Sequence, residues 1–194
     1  YGAKIESVLA RYESRERLKG VRHVLQGEPD AYMEDGEFNA AVSVLPRRGL
    51  SYDLLIFAHQ LPTALRFVDR HPNLHLVLDH IAKPVVRGLP PAEWVNNMRE
   101  LARRDQVSCK FSGVVTEVPG WKWTPELLRP YFDVALEAFG PSRLMFGSDW
   151  PVCQVAAEYR DWVRFVESCV SQLSPSEQNA ILGGNAARFY RLSQ

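Results

Sequence analysis

Two histidines and an aspartate close apolar runs in this chain: Asp53-Leu-Leu-Ile-Phe-Ala-His59, Leu74-His-Leu-Val-Leu-Asp-His80 and Arg143-Leu-Met-Phe-Gly-Ser-Asp149. A short apolar run of this kind reads as a buried parallel strand, and its C-terminal end is where barrel enzymes keep reactive groups. Strand ends of a parallel barrel converge on one mouth, so His59, His80 and Asp149 are expected to meet despite their separation in sequence. Two neutral imidazoles and a carboxylate suit Zn²⁺ or a similar divalent ion. The same Asp149 could instead take a proton from an attacking water. Taken singly, each has a plainer role: Asp149 as the cap of the next helix, either histidine as a surface or core residue. The shared position at three strand ends favours a site.

The elements that must position these residues alternate regularly. Ala3 to Tyr12 has helical spacing at Ile5, Val8, Leu9 and Tyr12, and Gly20 to Gln26 reads as a short strand. Phe38 to Leu45 is a brief helical pattern stopped by Pro46 and Gly49, and Pro62 opens another after the strand that ends at His59. After His80, the spacing from Pro91 to Arg104 is helical, and Val107 to Gly113 forms a fourth strand. Val114 to Trp123 is a Gly/Pro-containing loop, and Thr124-Pro125 supplies an N-cap with proline at the first position of a helix running to Phe139. Tyr159, Trp162, Val163 and Val166 mark the helix after the last strand. Ser174-Pro-Ser-Glu177 is a capping box, and Ile181 to Leu192 reads as two helical pieces broken at Gly183-Gly184.

Five strands alternating with helices mean βαβ units and a parallel sheet, in one domain over residues 1–194. A complete (β/α)₈ barrel takes about 250 residues, so 194 residues accommodate five units with generous loops. An open doubly wound sheet fits the element count too, although no glycine-rich turn follows the first strand to cradle a dinucleotide. The zero formal net charge argues against nucleic acid or an anionic membrane as partner, since both need a basic face. No apolar run reaches the roughly 18 residues of a membrane span. Cys109, Cys153 and Cys169 are odd in number and lack metal-type spacing, which points to buried free thiols in a reducing, cytoplasmic compartment. Neither Cys109 nor Cys153 has a base nearby in sequence to make it a nucleophile.

Five strings carry a resemblance: HQLP (59–62), LDHIAKP (78–84), KFSGVVTE (110–117), RLMFGSDWP (143–151) and GGNAARFYRL (183–192). Together they resemble the amidohydrolase-related sugar-lactonase family, which includes fucono- and rhamnono-lactonase types. The resemblance covers the chain almost from end to end. It implies a (β/α)₈ TIM-type barrel of which the five strands here correspond to strands four to eight. His59 then matches the histidine position after strand five, His80 that after strand six and Asp149 the carboxylate after strand eight. The family's His-x-His pair on its first strand has no match, since His71 and His75 are not so spaced. The chain also begins at Tyr1, inside a helical pattern, and about three N-terminal βα units are expected to be absent from it.

The resemblance implies a hydrolase opening a sugar-derived lactone to an aldonic acid. In that reading Asp149 activates water, while His59 and His80 polarise the carbonyl directly or through a divalent metal such as Zn²⁺, which some members hold weakly or dispense with. Lys83 could hold a substrate oxygen, Gln26 and Gln60 could bond hydroxyls, and Trp121, Trp123 and Trp150 could floor a sugar-ring pocket. Solvation of Lys83 and ordinary packing of the tryptophans explain these residues as well. Asp79 either orients His80 or caps the following helix, and His23, inside its strand, reads as structural. The rival readings are a metal-dependent decarboxylase of the same superfamily and a catalytically incomplete barrel fragment. With the first strands absent, the open barrel edge is expected to favour self-association.

Overall fold

The computed structural model describes residues 4–12 and 14–192. Five strands, β1 (Gly20–His23), β2 (Ser51–Leu54), β3 (Leu76–Leu78), β4 (Val107–Phe111) and β5 (Leu144–Phe146), form one parallel sheet in the order β1-β2-β3-β4-β5. Strands that neighbour in space in the same order as in sequence, joined by crossovers of one hand, keep their helices on one side. That is the winding of a barrel. A doubly wound sheet would reverse direction partway. The chain is thus an α/β fold of five consecutive βα units.

The helices are α1 (Ile5–Ala10), α2 (Gly36–Val42), α3 (Leu61–Arg70), α4 (Ala92–Ala102), α5 (Pro125–Arg143), α6 (Tyr159–Val170), α7 (Pro175–Asn179) and α8 (Asn185–Phe189). Their caps follow the sequence. Leu127 N–H donates to Thr124 Oγ1 at 3.3 Å, and Ser174 makes the reciprocal capping box with Glu177. The left-handed Gly140 (φ 66°) kinks α5 where the helical pattern runs out. Ala3, where the first helical pattern begins, lies outside the described residues. The expected break at Gly183-Gly184 is absent: Ala180–Gly184 forms one wide π turn that runs straight into α8. Glycine permits a turn there without requiring one, and Gly184 keeps helical angles (φ −58°, ψ −39°).

Alternation along the strands divides the sheet into two unlike faces. Tyr52, Leu54, Leu76, Leu78, Cys109, Phe111 and Leu144 are buried in the apolar core beneath the helices, against residues such as Phe67, Met98, Phe132 and Trp162. The opposite face carries Arg22, Asp53 and Lys110, with Asp79 just past β3. Lys110 Nζ lies 2.6 Å from Asp53 Oδ2 and 2.8 Å from Asp79 Oδ1, and Arg22 donates to Asp79 Oδ2 at 3.1 Å. A polar inner face is costly unless paired, and here each charge has a partner.

The C-terminal segment crosses the sheet. Asn185 Nδ2 donates to the Pro141 and Leu144 carbonyls at 2.7 Å each, fixing α8 to β5. Tyr190, just past α8, sets its hydroxyl 2.8 Å from both carboxylate oxygens of Asp53 on β2. Arg191 then bonds the Lys19 and Gly49 carbonyls, ahead of β1 and β2. Cys109, Cys153 and Cys169 are buried and free, and burial raises the pKa of each thiol, to about 11 for Cys169. Among the described residues, no helix is long and apolar enough to cross a membrane.

Candidate active site

β3, β4 and β5 are neighbours, so the residues that follow them meet at one edge of the sheet. After β3, residues His80, Ile81, Ala82 and Lys83 all take left-handed backbone angles (φ 54°, 48°, 59° and 48°). None is glycine, and the left-handed conformation costs an L-residue roughly 1–2 kcal/mol. Four in a row need outside support. Asp79 at the start of the turn is fully buried and held by Arg22 and Lys110. Trp94 Nε1 donates to the Ile81 carbonyl at 2.9 Å, and Lys83 N–H donates to His80 O at 2.8 Å. Lys83 Nζ pairs with Glu117 at 3.0 Å.

The turn sends the His80 ring across the end of β4. Its Nδ1 is 2.8 Å from Ser112 Oγ, and its Nε2 is 3.8 Å from Asp149 Oδ1. That second gap is too long for a direct hydrogen bond, so both groups remain able to act on one small molecule beside them. Asp149 also has a left-handed backbone (φ 53°), which it tolerates better than a bulkier residue. Gly113 (φ 65°) makes room for the pair: a Cβ there would fall 2.8 Å from His80 Nδ1 and 3.0 Å from Asp149 Oδ2. Gly147 does the same for Ser112, whose Cβ would lie 2.7 Å from an added methyl.

A hollow of about 300 Å³ opens beside the pair, lined by His80, Asp149, Ser112, Lys110, Arg22 and Tyr190 among others. Burial lowers the pKa of His80; Asp79 and Asp149 oppose this, and Lys83 and Lys110 add to it. The imidazole is therefore neutral near pH 7. Burial likewise pulls the Lys110 ammonium down, but Asp79 and Asp53 outweigh it and hold the pKa above the ordinary lysine value.

Of the residues that the sequence singles out, the hollow brings together His80 and Asp149. His59 does not join them. It sits in a 3₁₀ turn (Ala58–Gln60) whose neighbours Gln60 and Leu61 are buried, so the position between β2 and α3 faces outward. Its side chain is 69% exposed, 3.9 Å from Asp30, with its ring stacked on Phe57. Gln60 is buried and fully engaged: Nε2 donates to the Leu25 and Glu28 carbonyls, and Oε1 accepts from Phe57 N–H. It holds two loops together and has nothing left for substrate. Gln26 lies in the turn after β1 and keeps a buried Oε1 with no partner among the described residues. Lys83 is tied to Glu117 and lies over the Phe57 ring. Trp123 donates to the Ala156 carbonyl and packs on Phe165, an anchoring role, while Trp121 and Trp150 are largely exposed. His23 bonds Glu28 and stacks on Tyr32, as a structural residue does.

Among the described residues, no three His, Cys, Asp or Glu side chains gather where they could hold a metal ion. Zinc takes at least three protein ligands even in an open catalytic site. His80 and Asp149 alone fall short of that set. Ser112, Gly113 and Lys110, which the sequence reading passed over, all belong to the string KFSGVVTE. Its signal was a serine and a glycine directly after a strand in which lysine alternates with core residues.

The chain matches the family model described as amidohydrolase over residues 3–192. An L-fucono-1,5-lactonase of Burkholderia multivorans is 42% identical over 193 residues, covering 92% of this chain. The chain spans 64% of that relative's length. A crystal structure of an amidohydrolase from Burkholderia multivorans with bound HEPES superposes with a TM-score of 0.92 at 40% identity, covering 98% of this chain and 70% of that one. A second crystal form, with bound zinc, gives 0.88 at 42% identity, covering 95% and 69%.

Proposed function

Because the chain belongs to the amidohydrolase family, we propose that it acts as a lactonase, hydrolysing a sugar-derived lactone to an aldonic acid with His80 and Asp149 as its catalytic residues. The observation that carries the reading is the approach of His80 Nε2 to Asp149 Oδ1, 3.8 Å apart at the C-terminal edge of the sheet. The L-fucono-1,5-lactonase relative supports the substrate class.

Hydrolysis of a lactone needs a base for water and a donor for the carbonyl oxygen. Asp149 takes a proton from water as its oxygen attacks the lactone carbonyl carbon. Neutral His80, with Nδ1 accepting from the Ser112 hydroxyl, directs its Nε2–H at the oxygen that becomes negative. The tetrahedral anion then collapses, the ring C–O bond breaks, and protonated Asp149 returns its proton to the departing alkoxide. At neutral pH the new carboxylic acid releases a proton to solvent. Arg22 and Lys110 line the same hollow and keep N–H donors for sugar hydroxyls, while the Tyr190 hydroxyl, which donates to Asp53, can only accept.

The zinc-bound relative supports a divalent ion in this family. In this chain His80 and Asp149 are the donors that such an ion would meet, and it would supply Lewis-acid polarisation of the carbonyl. Two donors do not make a zinc site, so the steps above rest on side chains alone.

The test is acid release from a panel of sugar lactones. Asp149→Asn preserves size and removes the basic oxygen. Turnover should fall by roughly 10²-fold or more, with an unchanged circular dichroism spectrum. A folded Asp149→Asn protein that hydrolyses at the wild-type rate makes Asp149 a structural cap and overturns the mechanism.

A further inference from the structure

The strained turn after β3 is clamped at three places, and the middle clamp comes from a residue outside the hollow. At its start, Asp79 is held by Arg22 and Lys110; at its end, Lys83 is held by Glu117. Between them Ile81 is β-branched, fully buried and left-handed (φ 48°), the residue type least suited to that conformation. In the local sequence Asp-His-Ile-Ala-Lys-Pro, His80 tolerates a left-handed backbone, but Ile81, Ala82 and Lys83 do not favour one as glycine or asparagine would. The Ile81 carbonyl accepts from Trp94 Nε1 at 2.9 Å, and Trp94 is itself fixed, 2% exposed on α4 with its ring 5.5 Å from Tyr131.

We propose that Trp94 is a positioning residue for His80: its indole N–H holds the Ile81 carbonyl and so keeps residues 80–83 in the left-handed turn that aims His80 between Ser112 and Asp149. If the Ile81 peptide turned toward ordinary angles, the direction of the adjoining His80 side chain would change with it. The 2.8 Å contact to Ser112 and the approach to Asp149 would then be lost together. The proposal rests on the lactonase reading only for what His80 does once aimed.

The test is Trp94→Phe, which keeps an aromatic ring in the pocket and removes the donor. With the fold retained, kcat for the lactone should fall by about tenfold or more while KM stays within about twofold, because a misaimed group costs turnover more than binding. The His80 imidazole resonance, assigned by its loss in His80→Asn, should shift or broaden. Adding Ala82→Gly, which eases one left-handed position, should recover a large part of both changes; a purely structural role for Trp94 would lower the urea midpoint but leave kcat and the His80 resonance of the folded protein unmoved. Wild-type kcat and an unmoved His80 resonance in folded Trp94→Phe overturn the proposal, and so does a defect that Ala82→Gly leaves untouched. If His80→Asn itself hydrolyses normally, the catalytic role of His80 fails, and if the wild type releases no acid from any lactone, the lactonase reading fails; in either case the His80 resonance still reads the clamp independently.

Discussion

The His80–Asp149 pair depends on atoms that are missing as much as on atoms that are present. Gly113 serves two needs at once: a left-handed φ of 65° and empty space against both side chains. Gly49 has nearly the same angle (φ 64°) but open space around it, so it isolates the first need. Gly113→Ala and Gly49→Ala should each lose about 1–2 kcal/mol of stability from backbone strain. Only Gly113→Ala should also lose turnover, because its methyl would displace the imidazole and the carboxylate. Urea midpoints alongside lactone turnover separate the two effects, and an active Gly113→Ala would show that the pair tolerates displacement.

At the scale of elements, β2, β3, β4 and α8 are joined through charge on the inner face. Lys110 lies between Asp53 and Asp79, and Tyr190 brings the C-terminal segment onto Asp53. Burial raises the pKa of the Tyr190 phenol, and the Asp53 carboxylate adds to this while Lys110 opposes it. For both Lys110 and Tyr190 the folded protein favours the protonated form. Their contribution to stability is therefore complete below the unfolded values, near pH 10, and is lost as pH rises above them. Urea melts at pH 8 and pH 11 should show that loss in the wild type. Tyr190→Phe should start about 1–3 kcal/mol lower at pH 8, with Asp53 left underpaired, and fall less on going to pH 11. Equal melts for the two proteins at both values would remove the hydroxyl from the account.

For the molecule as a whole, the described sheet ends at β1 on one side and β5 on the other. Beside β1 runs a groove of about 830 Å³ whose walls include Leu9, Val21, Phe38, Val42 and Tyr52. A strand edge with free backbone groups next to apolar walls is a surface that chains bury against one another. The 194-residue chain is expected to self-associate with rising concentration in sedimentation velocity. A monodisperse, cooperatively melting monomer at every concentration would contradict this.

Much of the architecture was legible because it is local. Apolar runs ending at His80 and Asp149, the capping box at Ser174 and the Thr124-Pro125 helix start all follow from side-chain chemistry within a few residues of each element. The strings around those elements also carried the family. What sequence could not supply was direction. His59, too, follows an apolar run, but the turn that buries Gln60 and Leu61 points it outward, so the expected trio became a pair. Gln60 had the right chemistry for substrate and spends it on the carbonyls of a neighbouring loop and on the Phe57 amide. The left-handed turn of His80 to Lys83 contradicts local preference at Ile81, Ala82 and Lys83, and long-range partners such as Arg22, Lys110, Trp94 and Glu117 support it. Propensity and pattern fix which residues lie at the strand ends; packing between distant segments decides which of them face one another.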